Sequence, residues 1–290
     1  MPRSLSHLSL LSLLAVLLPL LGCVRPPSPP TTVPMREIRA EGPATIAGDQ
    51  AKCLFVFLPG YGASPEEFVE RGFIDQLEAN VDADATVVDA HIGYYLEESI
   101  LARLEEDVIG PAKAAGYEKV WFVATSMGAL GALGYGATHA AQVDGVVLLA
   151  PWMGFGFGFG LIGVQGEIAD SGGLVRWRNA FEDDSDLDGA APLGAYATQE
   201  DFSRLVWAWA ARPLRPDGSE VPIYVGYGQQ DRWAESQALL ADAYPARRKI
   251  LAGGLHHWDV FYDVWRGFLW QGFMQRSCGR ADTTTLRADQ

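Results

Sequence analysis

Runs of apolar residues that alternate with helical patterns constrain the fold of this chain more than any other feature. The first run, Cys53–Leu58, reads CLFVFL, as expected for a strand that is buried on both faces. Later runs span residues 85–90, 120–124, 143–150, 221–226 and 248–252. Because strands alternate with helices, the sequence predicts an α/β fold with a mostly parallel sheet and helices on both faces.

Helical periodicity fills the intervals between these runs. The segment Glu97–Ala115 has one apolar face, and Gly116 marks its end. Helices are also predicted over Pro65–Glu78, from Met127 onward and over Asp259–Met274. Together these patterns predict one domain over residues 50–278 and a tail over residues 279–290.

Residues 152–215 interrupt the alternation between the fourth and fifth strands. A loop of that length without secondary structure is implausible in a compact domain, so the sequence predicts an inserted helical cap. Helices are expected over 161–169 and 201–211, with a stretch of alternating Gly and Phe at 154–160 before them.

The N-terminus predicts export. Leu8–Leu21 is almost wholly apolar but, at about 14 residues, is shorter than the roughly 20 of a membrane-spanning helix. It fits the apolar core of a secretory signal.

The segment ends in LLGC, which resembles the lipobox of bacterial lipoproteins. That resemblance implies a signal peptide over residues 1–22, a lipid on Cys23 and a location in the bacterial cell envelope, facing the periplasm or the outer surface. A plain signal peptide with an incidental Cys, and hence secretion, is the alternative.

The residues after Cys23 are predicted to form a tether over 23–49. Residues 24–34 read VRPPSPPTTVP, and such proline-rich segments are extended and semi-rigid. Cys53 and Cys278 would lie in an oxidising space. Either a disulfide between them or two separate thiols is compatible with the sequence.

The charge balance argues against nucleic acid as a partner. The chain has 36 acidic and 22 basic residues and a formal charge of −14. A nucleic-acid-binding face has to be basic to neutralise phosphates. Attraction to anionic lipid by charge alone is also disfavoured, so membrane contact is expected through the lipid on Cys23.

The most informative chemical motif follows the third predicted strand. Residues 124–128 read ATSMG, which resembles the nucleophile elbow of alpha/beta-hydrolases, usually Gly-x-Ser-x-Gly. The elbow presents the serine hydroxyl on a tight strand-to-helix turn. The resemblance implies Ser126 as nucleophile and the Met127 N–H as an oxyanion donor. A serine that only caps a buried helix is the structural alternative.

Two other loops resemble the same family. Residues 58–62 read LPGYG where the family often has His-Gly-x-Gly, and the match implies the Tyr61 N–H as the second oxyanion donor. Residues 228–231 read GQQD after the fifth strand, and the match implies Asp231 as the acid that orients the catalytic histidine. A plain Gly-rich turn and an Asp231–Arg232 ion pair are the alternatives.

The histidine is expected after the last strand, where residues 253–258 read GGLHHW. His256 and His257 are both candidates. His256 is favoured, because Trp258 and Phe261 follow it at the spacing seen in relatives that read Gly-Gly-His-Asp-Trp. The chain order Ser126, Asp231, His256 is that of alpha/beta-hydrolases, and the resemblance covers residues 50–275.

This resemblance implies a serine hydrolase that cleaves carboxylic esters or related acyl bonds through an acyl-enzyme. Its substrate is a small acyl compound, and it needs no metal or organic cofactor. The alternative is a non-catalytic, lipid-anchored binding or envelope module, whose three side chains need not be within hydrogen-bond reach. The oligomeric state is left open.

Two other features are weaker. His91 follows the second predicted strand and either lines the substrate pocket or is structural. Residues 184–189 read DSDLDG, like the start of a calcium loop, but the twelfth position is Ala195, which cannot ligate through a carboxylate. A solvated acidic loop is therefore predicted there, and no metal site.

Overall fold

The computed structural model describes residues 29–49, 51–154, 163–180 and 199–280. The folded unit described below begins at Thr31. The predicted signal peptide, Cys23, most of the Gly/Phe stretch and the acidic loop with Ala195 lie outside the described residues.

The described residues form one sheet whose strands run in the order β1-β3-β2-β4-β5-β6-β7. Only β1 is antiparallel to its neighbour, and the other pairs are parallel. This confirms the predicted α/β class. The strands are β1 Glu37–Ala40, β2 Cys53–Leu58, β3 Asp84–Val88, β4 Lys119–Thr125, β5 Gly145–Leu149, β6 Ile223–Gly228 and β7 Lys249–Ala252.

The first strand corrects the predicted tether of residues 23–49 and the predicted start of the domain at residue 50. Glu37 pairs with Val88 at the edge of the sheet, and the Thr86 hydroxyl donates to the Glu37 carboxylate at 2.7 Å. The sequence pattern missed β1 because this edge strand is short and alternates polar with apolar residues, rather than forming a continuous apolar run.

Helices lie between the strands. Among the described residues they are α1 Pro43–Ile46, α2 Pro65–Glu70, α3 Phe73–Glu78, α4 Ile92–Leu96, α5 Ile100–Arg103, α6 Gly110–Ala114, α7 Gly128–Thr138, α8 Val164–Asp170, α9 Leu174–Asn179, α10 Gln199–Ala211, α11 Ala234–Ala241, α12 Trp258–Trp270 and α13 Phe273–Cys278. A π-helical segment, Leu104–Ile109, joins α5 to α6. No described helix is long and apolar enough to cross a membrane.

Two helices that the periodicity predicted as continuous are each divided by a glycine. Gly72 separates α2 from α3 with a φ of 76°, and Gly272 separates α12 from α13 with a φ of 73°. A left-handed residue stops the helical hydrogen-bond ladder, and glycine adopts that conformation without steric cost. The apolar periodicity resumes after each glycine, so the sequence pattern does not reveal the break.

A disulfide joins the second strand to the last described helix. Cys53 opens β2, Cys278 ends α13, and the two cysteines are bonded with their Cα atoms 5.7 Å apart. The sequence had left this pairing open, and the structure contains it. The bond holds the last helix against a central strand.

The segment between β5 and β6 is helical where it is described. Helices α8 and α10 are joined by a two-pronged ion pair in which Arg204 donates to both oxygens of Glu167 at 2.7 and 2.8 Å. Helix α10 packs closely on α7, because a Cβ at Gly136 would lie 2.2 Å from the Trp209 ring. The cap therefore rests on the helix that begins beside Ser126.

Candidate active site

Ser126 occupies a strained turn between β4 and α7. Its φ is +47°, a left-handed conformation that is uncommon for residues other than glycine. The turn is held on both sides, because Ser126 N–H donates to the Leu149 carbonyl at 3.0 Å and Trp152 N–H donates to the Ser126 carbonyl at 2.9 Å. This is the geometry that the predicted elbow requires.

Two glycines allow the backbone to approach the serine. A Cβ at Gly128 would lie 2.4 Å from the Leu58 carbonyl oxygen and 2.9 Å from that of Pro59. A Cβ at Gly60 would lie 2.9 Å from the Ser126 Cβ. The loop after β2 is therefore packed against the elbow, as an oxyanion loop must be.

Gly128→Ala is expected to disturb this contact. The new methyl meets backbone carbonyls that cannot rotate away, so we expect a loss of about 1–3 kcal/mol in unfolding free energy and a lower kcat. Denaturant unfolding and ester hydrolysis measure the two effects. Gly253→Ala is the matched control, because no atom lies within 4 Å of a Cβ there and its φ is ordinary. Equal behaviour of the two variants would contradict the close-contact explanation.

The other two predicted residues come from the loops after β6 and β7, at the same edge of the sheet. The His256 Nε2 atom lies 2.9 Å from the Ser126 Oγ, and the His256 Nδ1 atom lies 2.7 Å from the Asp231 Oδ2. The three side chains predicted from separate motifs therefore form one line of hydrogen bonds. The Asp231 side chain is fully buried and that of His256 is 13% exposed, so the line is shielded from bulk water at its acid end.

Asp231 is held by three donors. Besides His256, the Trp233 N–H donates to its Oδ1 at 2.9 Å and the Gln237 amide donates to its Oδ2 at 3.1 Å. Burial raises the pKa of Asp231, but these hydrogen bonds, with that from His256 the largest, outweigh burial and hold the pKa below its ordinary value. Asp231 is therefore a carboxylate at neutral pH. The Asp231–Arg232 ion pair, the structural alternative, is not formed, and the Arg232 guanidinium instead lies 4.2 Å over the Trp233 ring.

His257 points elsewhere. Its side chain is 63% exposed and caps helix α12, where its Nδ1 accepts from the Asp259 N–H at 3.4 Å. His256 is instead packed edge-on against the rings of Trp233 and Phe261, with centroids at 4.5 and 5.0 Å. The geometry therefore brings His256 and not His257 to Ser126.

The two predicted oxyanion donors are free of protein acceptors. The Met127 N–H precedes α7 and the Tyr61 N–H lies in the loop after β2. Within the part of the chain that the structure describes, neither donates a hydrogen bond. An oxyanion hole needs such unpaired donors, and Met127 has the added positive potential of a helix N-terminus.

Sequence reasoning missed Gln237 and Trp233, the neighbours that fix Asp231 and His256. Gln237 is an ordinary polar residue within a short helix, and only its complete burial distinguishes it. Trp233 lies only two residues after Asp231, and this proximity is a sequence signal that could have indicated its contact with the site.

His91 takes the structural role that the sequence left open. It caps helix α4, where its Nδ1 accepts from the Gly93 N–H at 3.1 Å. Among the described residues, no group of three or more His, Cys, Asp or Glu side chains is arranged to hold a metal ion.

No protein-family model and no curated protein matches the chain in sequence. Solved structures are similar in shape. Paleococcus ferrophilus monoacylglycerol lipase is 12% identical, with a TM-score of 0.48 over 82% of this chain and 99% of its own. S-formylglutathione hydrolase from Staphylococcus aureus is 12% identical, with a TM-score of 0.47 over 82% of this chain and 95% of its own. A ferulic acid esterase is 13% identical, with a TM-score of 0.46 over 82% of this chain and 97% of its own.

The strand order and the loops that carry the three site residues define the fold. An antiparallel edge strand precedes six parallel strands. Because β3 lies between β1 and β2, strand β2 lies beside β4 near the centre of the sheet. The serine turn leaves β4, and the acid and histidine leave β6 and β7 in that order. The chain therefore has the alpha/beta-hydrolase fold.

Proposed function

We propose that the protein is a serine hydrolase that cleaves carboxylic esters or related acyl bonds. The observation that supports this best is the unbroken line of hydrogen bonds from Ser126 through His256 to Asp231, with distances of 2.9 and 2.7 Å. A nucleophile, a base within reach of it and a carboxylate that orients the base are the parts that this chemistry requires.

The geometry supports a two-step mechanism. Ser126 Oγ attacks the carbonyl carbon while His256 Nε2 takes its proton, and Asp231 stabilises the resulting imidazolium. The carbonyl oxygen becomes an oxyanion that accepts from the Met127 and Tyr61 N–H groups. His256 then returns the proton to the leaving alcohol as the C–O bond breaks. Water, deprotonated by the same histidine, then attacks the acyl carbon, and His256 returns that proton to Ser126 Oγ as the bond to the acyl group breaks.

Apolar side chains at the rim favour an apolar acyl or alcohol group. Tyr61 is 65% exposed and Leu255 is 64% exposed, and these residues belong to the loops that carry the oxyanion donor and the histidine. Ligand pockets are lined mainly by apolar side chains around a few polar groups.

A series of p-nitrophenyl esters of increasing acyl length tests this proposal. We expect hydrolysis by the wild-type protein, with kcat/KM rising beyond acetate, and loss of turnover in Ser126→Ala. Absence of turnover for every ester and thioester, with a folded protein, would contradict it.

The alternative of a non-catalytic envelope module receives no support from the site. It allows the three side chains to lie apart, whereas they lie in hydrogen-bond contact. The left-handed φ of Ser126 is a strained conformation of the kind that clusters at functional sites.

For the N-terminus we propose that Cys23 carries a lipid that anchors the enzyme in the bacterial cell envelope. The support is the LLGC motif and the proline-rich segment that follows it. Metabolic labelling with an alkyne fatty acid is expected to mark the wild-type protein and to leave Cys23→Ser unmarked. Equal labelling of both would remove Cys23 from this role.

A further inference from the structure

Gln237 lies within hydrogen-bond distance of the proposed catalytic acid, Asp231. It belongs to helix α11, and its side chain is completely buried. Glutamine is rarely buried to this extent. Its position therefore needs an explanation in terms of the groups that it contacts.

The Gln237 amide nitrogen makes two hydrogen bonds. It donates to the Asp231 Oδ2 at 3.1 Å and to the Pro151 carbonyl at 3.3 Å. Both partners are acceptors, which fixes the nitrogen rather than the oxygen toward them. The carboxylate oxygen that receives this bond is the one that receives His256.

The amide oxygen of Gln237 is left buried without a protein hydrogen-bond partner among the described residues. An apolar side chain of the same length would fill this space without burying an unpartnered acceptor. Packing alone therefore does not account for glutamine, whereas donation to Asp231 does.

Gln237 also connects the loops that carry the site. Pro151 lies next to Trp152, whose N–H donates to the Ser126 carbonyl at 2.9 Å. One side chain thus links the acid loop after β6 to the loop after β5 that supports the serine turn. Such a bridge fixes the distance between the two ends of the hydrogen-bonded line.

We propose that Gln237 is a positioning residue that holds the Asp231 carboxylate ionised and directed at His256. This inference rests on the proposed hydrolase function and adds to it a residue that governs the pH range of activity. Gln237 contacts neither substrate nor the reacting atoms and acts only through Asp231.

The pH consequence follows from the groups around Asp231. His256 faces it from the loop after β7, Gln237 faces it from α11, and the Trp233 N–H faces it from its own loop. His256 is the one titratable side chain that donates to it among the residues described, since Arg232 lies over the Trp233 ring. Without the Gln237 donor, the carboxylate binds protons more readily and also holds the protonated histidine more tightly. Both changes move the acidic limb of the activity profile to higher pH.

Gln237→Met removes the donor and keeps the length of the side chain. We expect kcat to fall about 10- to 100-fold, because a carboxylate that is no longer held in place orients His256 less well. The acidic limb of kcat/KM should move up by about one to two pH units. The Tm should change little, because the unpartnered Gln237 oxygen is removed while the Pro151 carbonyl loses its donor. Ser236→Ala, a buried neighbour on α11 whose hydroxyl has no partner, is the control and should change neither rate nor profile.

Gln237→Glu provides a second test of the proposal if the Gln237→Met variant folds poorly. The introduced carboxyl can donate to Asp231 only while protonated, so activity relative to the wild type should fall as the pH rises. An unchanged acidic limb in Gln237→Met, or a flat activity ratio in Gln237→Glu, would overturn the positioning role while wild-type turnover remained. Absence of wild-type turnover would instead overturn the proposed function.

Discussion

Replacing His256 with alanine is expected to lower kcat by about 10⁴-fold or more, because a serine hydroxyl is a weak nucleophile without an adjacent base. The effect should appear mainly in kcat, since His256 acts on the proton of Ser126 and not on substrate binding. Hydrolysis of a p-nitrophenyl ester under saturating substrate measures it. The variant should remain folded, because the ring is partly exposed and the buried Asp231 carboxylate keeps its donors from Trp233 and Gln237.

His257→Ala is the matched control for this prediction. The two histidines are adjacent in sequence, and only His256 reaches Ser126. His257 caps α12 from an exposed position, so its loss should leave kcat within about twofold and lower stability by at most about 1 kcal/mol. A large loss in His257→Ala with activity kept in His256→Ala would reverse the assignment of the base.

Asp231→Asn is expected to lower kcat by about 10⁴-fold, the size of the same change in a serine protease triad. The shape of the side chain is kept, but the amide presents a donor or a neutral acceptor where Nδ1 needs a charged acceptor. The histidine then loses both its tautomer and the stabilisation of its protonated form. A pH profile of kcat/KM for the variant and the wild type, together with their Tm values, measures the effect.

A small effect of Asp231→Asn would show that another group orients His256. The described residues offer no second carboxylate within hydrogen-bond distance of the His256 ring. We therefore expect no other carboxylate to restore the activity at any pH.

The sequence predicted most of what positions the site. Buried parallel strands are continuous apolar runs, and the loops that carry Ser126, Asp231 and His256 begin where such runs end, so three separate motifs could place these residues. The preference for His256 over His257 came from the spacing of aromatic residues. Both aromatic residues help to hold the His256 ring, because Phe261 packs on that ring and Trp258 packs on Phe261.

Several other features could not be predicted from sequence patterns, for physical reasons. The edge strand Glu37–Ala40 is too short and too polar to stand out from a tether. The breaks at Gly72 and Gly272 depend on backbone conformation, which apolar periodicity does not report. Gln237 is recognisable only through burial and contact with Asp231, both of which arise from tertiary packing.

The most direct test of the account is covalent labelling with a fluorophosphonate probe, followed by intact mass measurement and peptide fragmentation. We expect one probe per chain on Ser126, none in Ser126→Ala and much slower labelling in His256→Ala, with labelling of His257→Ala unchanged. Undiminished labelling of Ser126→Ala, or ester turnover that persists in that variant, would contradict the role of Ser126 as the nucleophile.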